Sequence, residues 1–446
     1  MKADKISFKE IRILAIPAIF AGIAEPIIGL VDTGVIGNLG EKSEISQAAV
    51  GLGASLYTIL LWSLSQIRTS ISSIISKYVG KNKLEELNTL VPQTILFGVA
   101  LGVLIGTLTF VFSEEIFTKF YGIKESQPEL LKESMLYFRI RVLGLPISLA
   151  VFTAFGVFRG IQNTLWIMKA SILGAIVNVI LDYILVFGVG NFHPNMGIEG
   201  VAWASLAAQF TMLIFTIVVV KRKTPFNFFP TFGKANPEFK TMLTMSANML
   251  VRTIALNAAF FISNWFANKY NENYLAAHTI LLNLWVFSFF FIDGFSNAGN
   301  AIAGKLLGQK DFRRLTILSR DLIKYNFIVG GILALIFLVL YPVLGNLFSN
   351  KQEVVALFNS TFWVIIIAQF ISVVTFTYDG IFKGLGETAY LRNTLLIATT
   401  CIFIPIAFSL HFLDFKLYGI WAAFLAWNAF RGGTLIYRFR KKYRVL

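Results

Sequence analysis

The stretch GGILALIFLVLYPVLG, residues 330–345, decides the fold: it holds no charge and no polar side chain beyond the Tyr341 hydroxyl. A transmembrane strand would alternate apolar and polar residues in segments of about ten. No such alternation is present, so the stretch reads as a helix immersed in hydrocarbon. A helix satisfies its own backbone N–H and C=O groups, as lipid requires. Working outward, windows of about 20 predominantly apolar residues, the length of a bilayer crossing, recur along the chain. Twelve are counted, at 13–38, 48–76, 90–112, 135–158, 165–190, 197–220, 240–267, 275–304, 321–348, 357–382, 389–412 and 417–438. The expected fold is therefore an all-α integral membrane protein of twelve spans. The first window carries Pro17, Glu25 and Pro26 and is longer than a signal-peptide core, so it is read as retained.

Composition agrees. The 446 residues are 56% hydrophobic, include 44 Phe and are 14% charged, with a mean hydropathy of +0.70, too apolar for an ordinary soluble domain. One Cys, Cys401, excludes an intrachain disulfide framework, and His193, His278 and His411 are too scattered for metal-ligand spacing. No cofactor is expected. The formal charge of +15 sits in short loops between apolar runs, where anionic cytoplasmic lipid is the partner rather than nucleic acid. The amino terminus, even-numbered connections and carboxyl tail hold 27 of the 39 basic residues, against 7 in the odd-numbered connections. By the positive-inside rule both termini are cytoplasmic, in a cell membrane.

The basic connection KRKTPFNFFPTFGKANPEFK at 221–240 lies near mid-chain, which directs a search for a repeat of half the length. FGVFRG at 155–160 matches DGIFKG at 379–384, offset by 224, and KYVGK at 77–81 matches KLLGQ at 305–309, offset by 228. Two lobes follow, residues 1–222 and 241–446, joined by a cytoplasmic linker at 223–240. Six spans per half give both lobes one orientation, as in parallel-repeat transporters.

Charges inside spans are the functional candidates, since each costs roughly 2.5–3.5 kcal/mol at mid-bilayer on insertion scales. Asp32 precedes Leu39 by 7 residues, Asp182 precedes Gly190 by 8, and Ser205 follows Gly197 by 8. At about 1.5 Å per residue all three lie roughly 10–12 Å below the outer surface. In VNVILDYILVFG, Asn178 and Asp182 are four apart and share a helix face. Two neighbouring carboxylates resist double ionisation, so the group is expected to bind a proton or to hold Na⁺ at Asp32, Asn178 and Asp182. The alternative is that each acid pairs separately with an Arg or backbone group. The repeat supplies a control: Asn178 and Asp182 shift to Ile402 and Ile406, and Asp32 to Phe260. The scaffold itself needs no acids there.

Glu25 lies two helical turns from Asp32, with Pro26 between them as a moving hinge or a static kink. Asp293 lies in the inner half of span 8. Arg68 and Arg252 either pair with an acid across a cleft or have a structural role, the latter favoured, and Asp379 is expected at the cytoplasmic interface beside Lys383. Arg139 and Arg141 are expected to anchor span 4 at the outer surface. Trp62, Trp203, Trp285 and Trp427 are as readily lipid-facing as pocket-lining.

GLVDTGVIGNLG (29–40), YFRIRVLGLP (137–146), FRGIQNT (158–164), NVILDYILVFG (178–188), GIEGVAWAS (197–205), VRTIALN (251–257) and FIDGFSNAGNAIAGKLLGQ (291–309) together resemble the multidrug and toxic compound extrusion transporters, in their DinF-like branch. The resemblance covers essentially the whole chain. It implies a V-shaped exporter of two six-helix lobes, exchanging cytoplasmic drugs or metabolites, organic cations or amphipathic compounds, for inward H⁺ or Na⁺. It also implies a cation site in the first lobe from Asp32, Asn178, Asp182 and Ser205, where a Thr is common, and a monomeric protein. Asn38 departs from a His frequent in the family. Span 7 has no acid between Met242 and Asn268, so the second-lobe cation site of the other main branch is absent. Two rivals are a flippase for lipid-linked precursors, for which Arg68 and Arg252 offer a sparse cationic cleft, and a membrane aspartyl protease. Against the protease, Asp379 in YDG and Glu387 in GLGE sit eight residues apart at one membrane edge rather than on opposed helices.

Overall fold

The structure, a computed structural model, describes residues 6–38, 43–229 and 233–443, with the side chains of Glu25 and Ser43 left aside. Glu25 as a site residue thus lies outside the described residues. The chain is α-helical apart from an isolated bridge between Val189 and Phe192. The first helices are α1 (Phe8–Gly37), α2 (Ser43–Leu64), α3 (Ile67–Gly80), α4 (Leu90–Val111), the single turn α5 (Ser113–Glu115), α6 (Pro128–Val142), α7 (Leu145–Gly160), α8 (Leu165–Phe187) and α9 (Gly197–Lys223). They are followed by α10 (Phe239–Tyr270), α11 (Glu272–Gln309), α12 (Phe312–Phe348), α13 (Gln352–Thr361), α14 (Trp363–Gly384), α15 (Thr388–Ile397), α16 (Ile404–Phe412) and α17 (Lys416–Tyr443).

Ten helical runs among the described residues are long and apolar enough to cross a membrane, and eleven if α6 and α7, which meet at 45°, form one broken span. The expected count was twelve. The remaining window falls in α17, which is long enough but diluted by Gly, Trp, Tyr, Asn428 and Arg431. Its polar residues Asn428 and Arg431 are buried in protein, so the helix does not need the uniform hydrocarbon surface that a composition test looks for.

Two compact units are present: Met1–Ile19, Ser76–Asn82 and Thr244–Leu446 form one, and Phe20–Ile75 with Lys83–Leu243 the other. In the second unit α8 packs on α9, α2 on α6, and α4 on α7; in the first, α14 is central, against α11, α12 and α17. The connection after α9 is anchored within its own unit. Asn236 donates to the Glu86 carbonyl at 2.9 Å and to Thr89 Oγ1 at 3.0 Å, while its backbone N–H donates to Gln93 Oε1 at 2.9 Å.

The sequence repeat reappears as packing. A Cβ at Gly156 would strike the Arg68 carbonyl, and one at Gly160 would strike Ile75 and press on the Ser72 carbonyl, so α7 lies backbone-close on α3. Gly380 and Gly384 hold α14 equally close to α11, against the carbonyls of Ser296 and Asn300. The glycines are related by the offset of 224, and Arg68 and Ser72 are related to Ser296 and Asn300 by 228. Small residues four apart allow this approach between membrane helices. In the second contact the same turn of α14 carries Asp379 and Lys383.

Candidate functional site

Three helices of one unit bring the sequence-predicted ligands together. Asp32 on α1, Asn178 and Asp182 on α8, and Ser205 on α9 are all buried, none more than 3% exposed. Asn178 Nδ2 donates to Ser205 Oγ at 3.3 Å, and Ser205 Oγ donates to Asp32 Oδ2 at 3.4 Å. The two carboxylates lie within electrostatic range of each other. Asp32 Oδ1, Asn178 Oδ1 and both Asp182 carboxylate oxygens are buried with no hydrogen-bond partner. Buried acceptors without donors are costly. A proton between the acids, or a small hard cation among these oxygens, removes that cost.

The donor set is oxygen only, which suits H⁺ or Na⁺ rather than zinc or copper. Among the described residues no group of three or more His, Cys, Asp or Glu side chains forms a metal cluster. A recess of ≈ 440 Å³ is lined by Val31, Gly34, Val35 and Asn38 at the end of α1 and by Tyr183 and Phe187 of α8. Val31 and Tyr183 are the chain neighbours of Asp32 and Asp182. Gly188, which ends α8 at φ +82°, turns the chain there in a conformation that L side chains rarely adopt.

Two members of this neighbourhood are not assigned to it from sequence. Tyr137 and Arg141, four apart on α6, share a face, and both lie within electrostatic range of both acids. The Tyr137 hydroxyl is buried and unpartnered. Arg141 lies over the Tyr57 ring at 4.4 Å; with the Gln209 amide oriented to satisfy its neighbours, Gln209 oxygen accepts from Arg141 Nη1 at 3.2 Å. Arg141 is therefore turned inward rather than serving only as an outer anchor. Arg139 donates from Nε to Ser113 Oγ at 2.9 Å. The i, i+4 spacing in YFRIR was the available signal, but the sequence does not say which face of α6 meets the acids.

The other candidates lie elsewhere. Helix α1 continues through Pro26. Arg68 lies over the rings of Trp62 at 5.7 Å and Phe152 at 5.1 Å. Asp293 accepts from Asn297 Nδ2 at 2.9 Å. Arg252 pairs with Asp379 within its own unit, Nη2 to Oδ1 at 2.5 Å. Asp379, expected at the interface, is instead 2% exposed; it also meets Lys383 Nζ at 2.6 Å and Arg431 Nη2 at 4.0 Å. The correction has a packing cause, because Gly380 draws this turn of α14 against α11.

The positions matching the acid group in the other unit are apolar. Phe260, the counterpart of Asp32, contacts Phe424 with ring centroids 6.0 Å apart. Phe424 also touches Trp285 at 5.2 Å, Phe403 at 4.8 Å and Trp421 at 5.7 Å.

The sequence profile of the MatE family matches residues 17–184 and 249–409. The chain belongs to the MatE family. DNA damage-inducible protein F of Escherichia coli (strain K12) is 26% identical over 443 residues, 97% of this chain and 92% of that one. Protein DETOXIFICATION 43 of Arabidopsis thaliana is 25% identical over 488 residues, 96% and 90% of the two chains. Among solved structures, a MOP superfamily transporter from Pyrococcus furiosus, described as having a binding pocket of reverse polarity, matches with a TM-score of 0.87 at 20% identity, over 98% of this chain and 95% of that one. A MATE structure in a bent conformation gives 0.88 at 20% identity over the same shares. This MatE-family chain is a multi-pass membrane protein and a secondary efflux transporter rather than an enzyme.

Proposed function

We propose that this MatE-family protein exports an organic cation or amphipathic metabolite from the cytoplasm in exchange for inward H⁺ or Na⁺, with Asp32, Asn178, Asp182 and Ser205 as the coupling site. The observation that carries this reading is the convergence of four buried, unpartnered acceptor oxygens from three residues on two helices. In the outward-facing state the acids load a cation, and in the inward-facing state they release it. The work comes from differential ion affinity between the two states together with the membrane gradient. Removing the buried charge repulsion on loading favours closer approach of α1, α8 and α9, and Pro26, lacking an N–H, is a weak point about two turns away where α1 can bend. The reading includes twelve spans in two six-helix lobes, residues 1–222 and 241–446 with a linker at 223–240, a monomer, and both termini in the cytoplasm of a cell membrane.

Reconstituted protein should drive dye efflux under an imposed pH or Na⁺ gradient. Asp32→Asn should abolish coupled efflux while leaving expression and melting temperature near wild type. Full coupled activity in that variant refutes the site. The second reading, a flippase for lipid-linked precursors, is favoured by one observation, the group of Arg252, Lys383 and Arg431 around Asp379. Lipid translocation by the purified protein without dye efflux would select it.

A further inference from the structure

The charge cluster in the unit built around α14 is not balanced. Arg252 on α10, Lys383 on α14 and Arg431 on α17 face a single carboxylate, Asp379, which leaves a net charge of +2 in side chains at most 15% exposed. Arg431 forms its one ion pair among the described residues with Asp379. Its distance of 4.0 Å to Asp379 is long; its close contacts are Asn428 Oδ1 at 3.2 Å and the face of Trp427 at 4.4 Å. Each guanidinium offers five N–H donors and the ammonium three, whereas one carboxylate accepts about four hydrogen bonds. The cluster therefore holds surplus positive charge, which is costly away from water.

More of the same chemistry lies one helical turn away on α10. Arg392, partly exposed on α15, donates from Nη1 to Asn248 Oδ1 at 2.6 Å, and Asn248 lies one helical turn before Arg252 on α10. The scaffold does not require these charges. Shifted by the repeat offsets, Arg252 falls on Ala24 and Asp379 on Phe155, and only Lys383 has a basic counterpart, Arg159.

We propose that Arg252, Lys383 and Arg431 form a binding site for a phosphate-type oxyanion. Planar guanidinium forks and an ammonium are the groups that recognise phosphoryl oxygens. A bound phosphate cancels most or all of the surplus charge, and Asp379 holds the three cations together in its absence. The oxyanion comes either from a lipid headgroup or from a free phosphate compound. The site belongs to a different unit from the Asp32–Asp182 group and stands whether or not that group couples transport.

The test uses the purified full-length protein in detergent and needs no ion gradient. Equilibrium binding of radiolabelled inorganic phosphate reads the free anion, and native mass spectrometry reads retention of phosphatidylglycerol against phosphatidylcholine of the same chain length. Wild type should bind phosphate, or retain phosphatidylglycerol selectively; the first alone identifies a soluble phosphate and the second a headgroup. Lys383→Gln and Arg431→Gln should each weaken binding by roughly tenfold, while Asp379→Asn, which removes the competing anion, should tighten it several-fold. Structural damage cannot produce opposite responses of that kind. Lys383→Gln, at the more exposed side chain, decides the matter if Arg431→Gln does not fold. Absence of both binding modes, wild-type binding in the cation variants, or weakening by Asp379→Asn overturns the proposal. The same measurements on Asp32→Asn should match wild type, so failure here and failure of the coupling site remain distinguishable.

Discussion

Replacing Ser205 by alanine takes one oxygen from the candidate coupling site and leaves both acids in place. That oxygen accepts from Asn178 at 3.3 Å and donates to Asp32 at 3.4 Å. Both bonds are long, so each belongs at the weak end of the ~0.5–1.5 kcal/mol typical of a net hydrogen bond. The variant also leaves the buried Asn178 amide N–H without its acceptor, a further cost of about 1–3 kcal/mol. The desolvation part is common to loaded and empty states and lowers stability. The part that differs between the states, about 1–2 kcal/mol, should raise the half-saturating ion concentration roughly 5- to 30-fold. The assay is dye efflux from proteoliposomes, with external pH and Na⁺ titrated separately; the rate at saturating ion should stay near wild type, the signature of lost binding alone. Because Asn178 and Ser205 share a bond, Asn178→Ala and Ser205→Ala combined should be non-additive by about 0.5–3 kcal/mol. An unchanged half-saturation, or a loss as complete as that of Asp32→Asn, would show that the hydroxyl does not act as a subsidiary ligand.

The backbone contact beneath the charge cluster can be tested in the same protein. Gly384→Ala places a Cβ well inside contact distance of the Asn300 carbonyl, which backbone cannot relieve without shifting α14, and should cost about 1–3 kcal/mol in thermal melting. Gly331→Ala, with nothing within 4 Å of the added methyl, should be neutral or stabilising by up to ~1 kcal/mol; equal effects would discredit the packing argument. At the end of α17, burial raises the Glu387 carboxyl, but Lys442, the Tyr443 hydroxyl and Arg438 outweigh it and hold the group below its ordinary 4.5. A depressed folded value gives stabilisation that is full above the unfolded value and lost as pH falls through the folded one. The protection of amides 436–443 against hydrogen exchange, taken relative to the intrinsic rate at each pH, should therefore fall below about pH 4.5. Glu387→Gln should accelerate exchange at pH 7 by about 1–2 kcal/mol and flatten the pH profile.

Much of the candidate site is legible in the sequence because depth along a membrane helix is a one-dimensional quantity. Counting residues from the ends of spans puts Asp32, Asp182 and Ser205 at one level, and Ser205 bonds Asp32. The repeat is likewise legible, since its offsets of 224 and 228 reappear in the glycine contacts of α7 on α3 and of α14 on α11. Arg141 and Tyr137 escape sequence reading because their level is known but not the face they present. The burial of Asp379 escapes sequence reading for a related reason: a position near a span end gives the distance to the membrane edge, not whether protein or water surrounds it.

The amino-acid sequence by itself determined the helical membrane fold and the short list of intramembrane charges. Both follow from composition and spacing, through the cost of exposing backbone and charge to hydrocarbon. Only the tertiary structure decided which charges meet. Rotation about each helix axis and the closeness of each helix pair are set by side chains far apart in the chain, such as Gly380 against Ser296. Those contacts gather the acids of one unit into an electron-rich group, and they gather the cations of the other around Asp379.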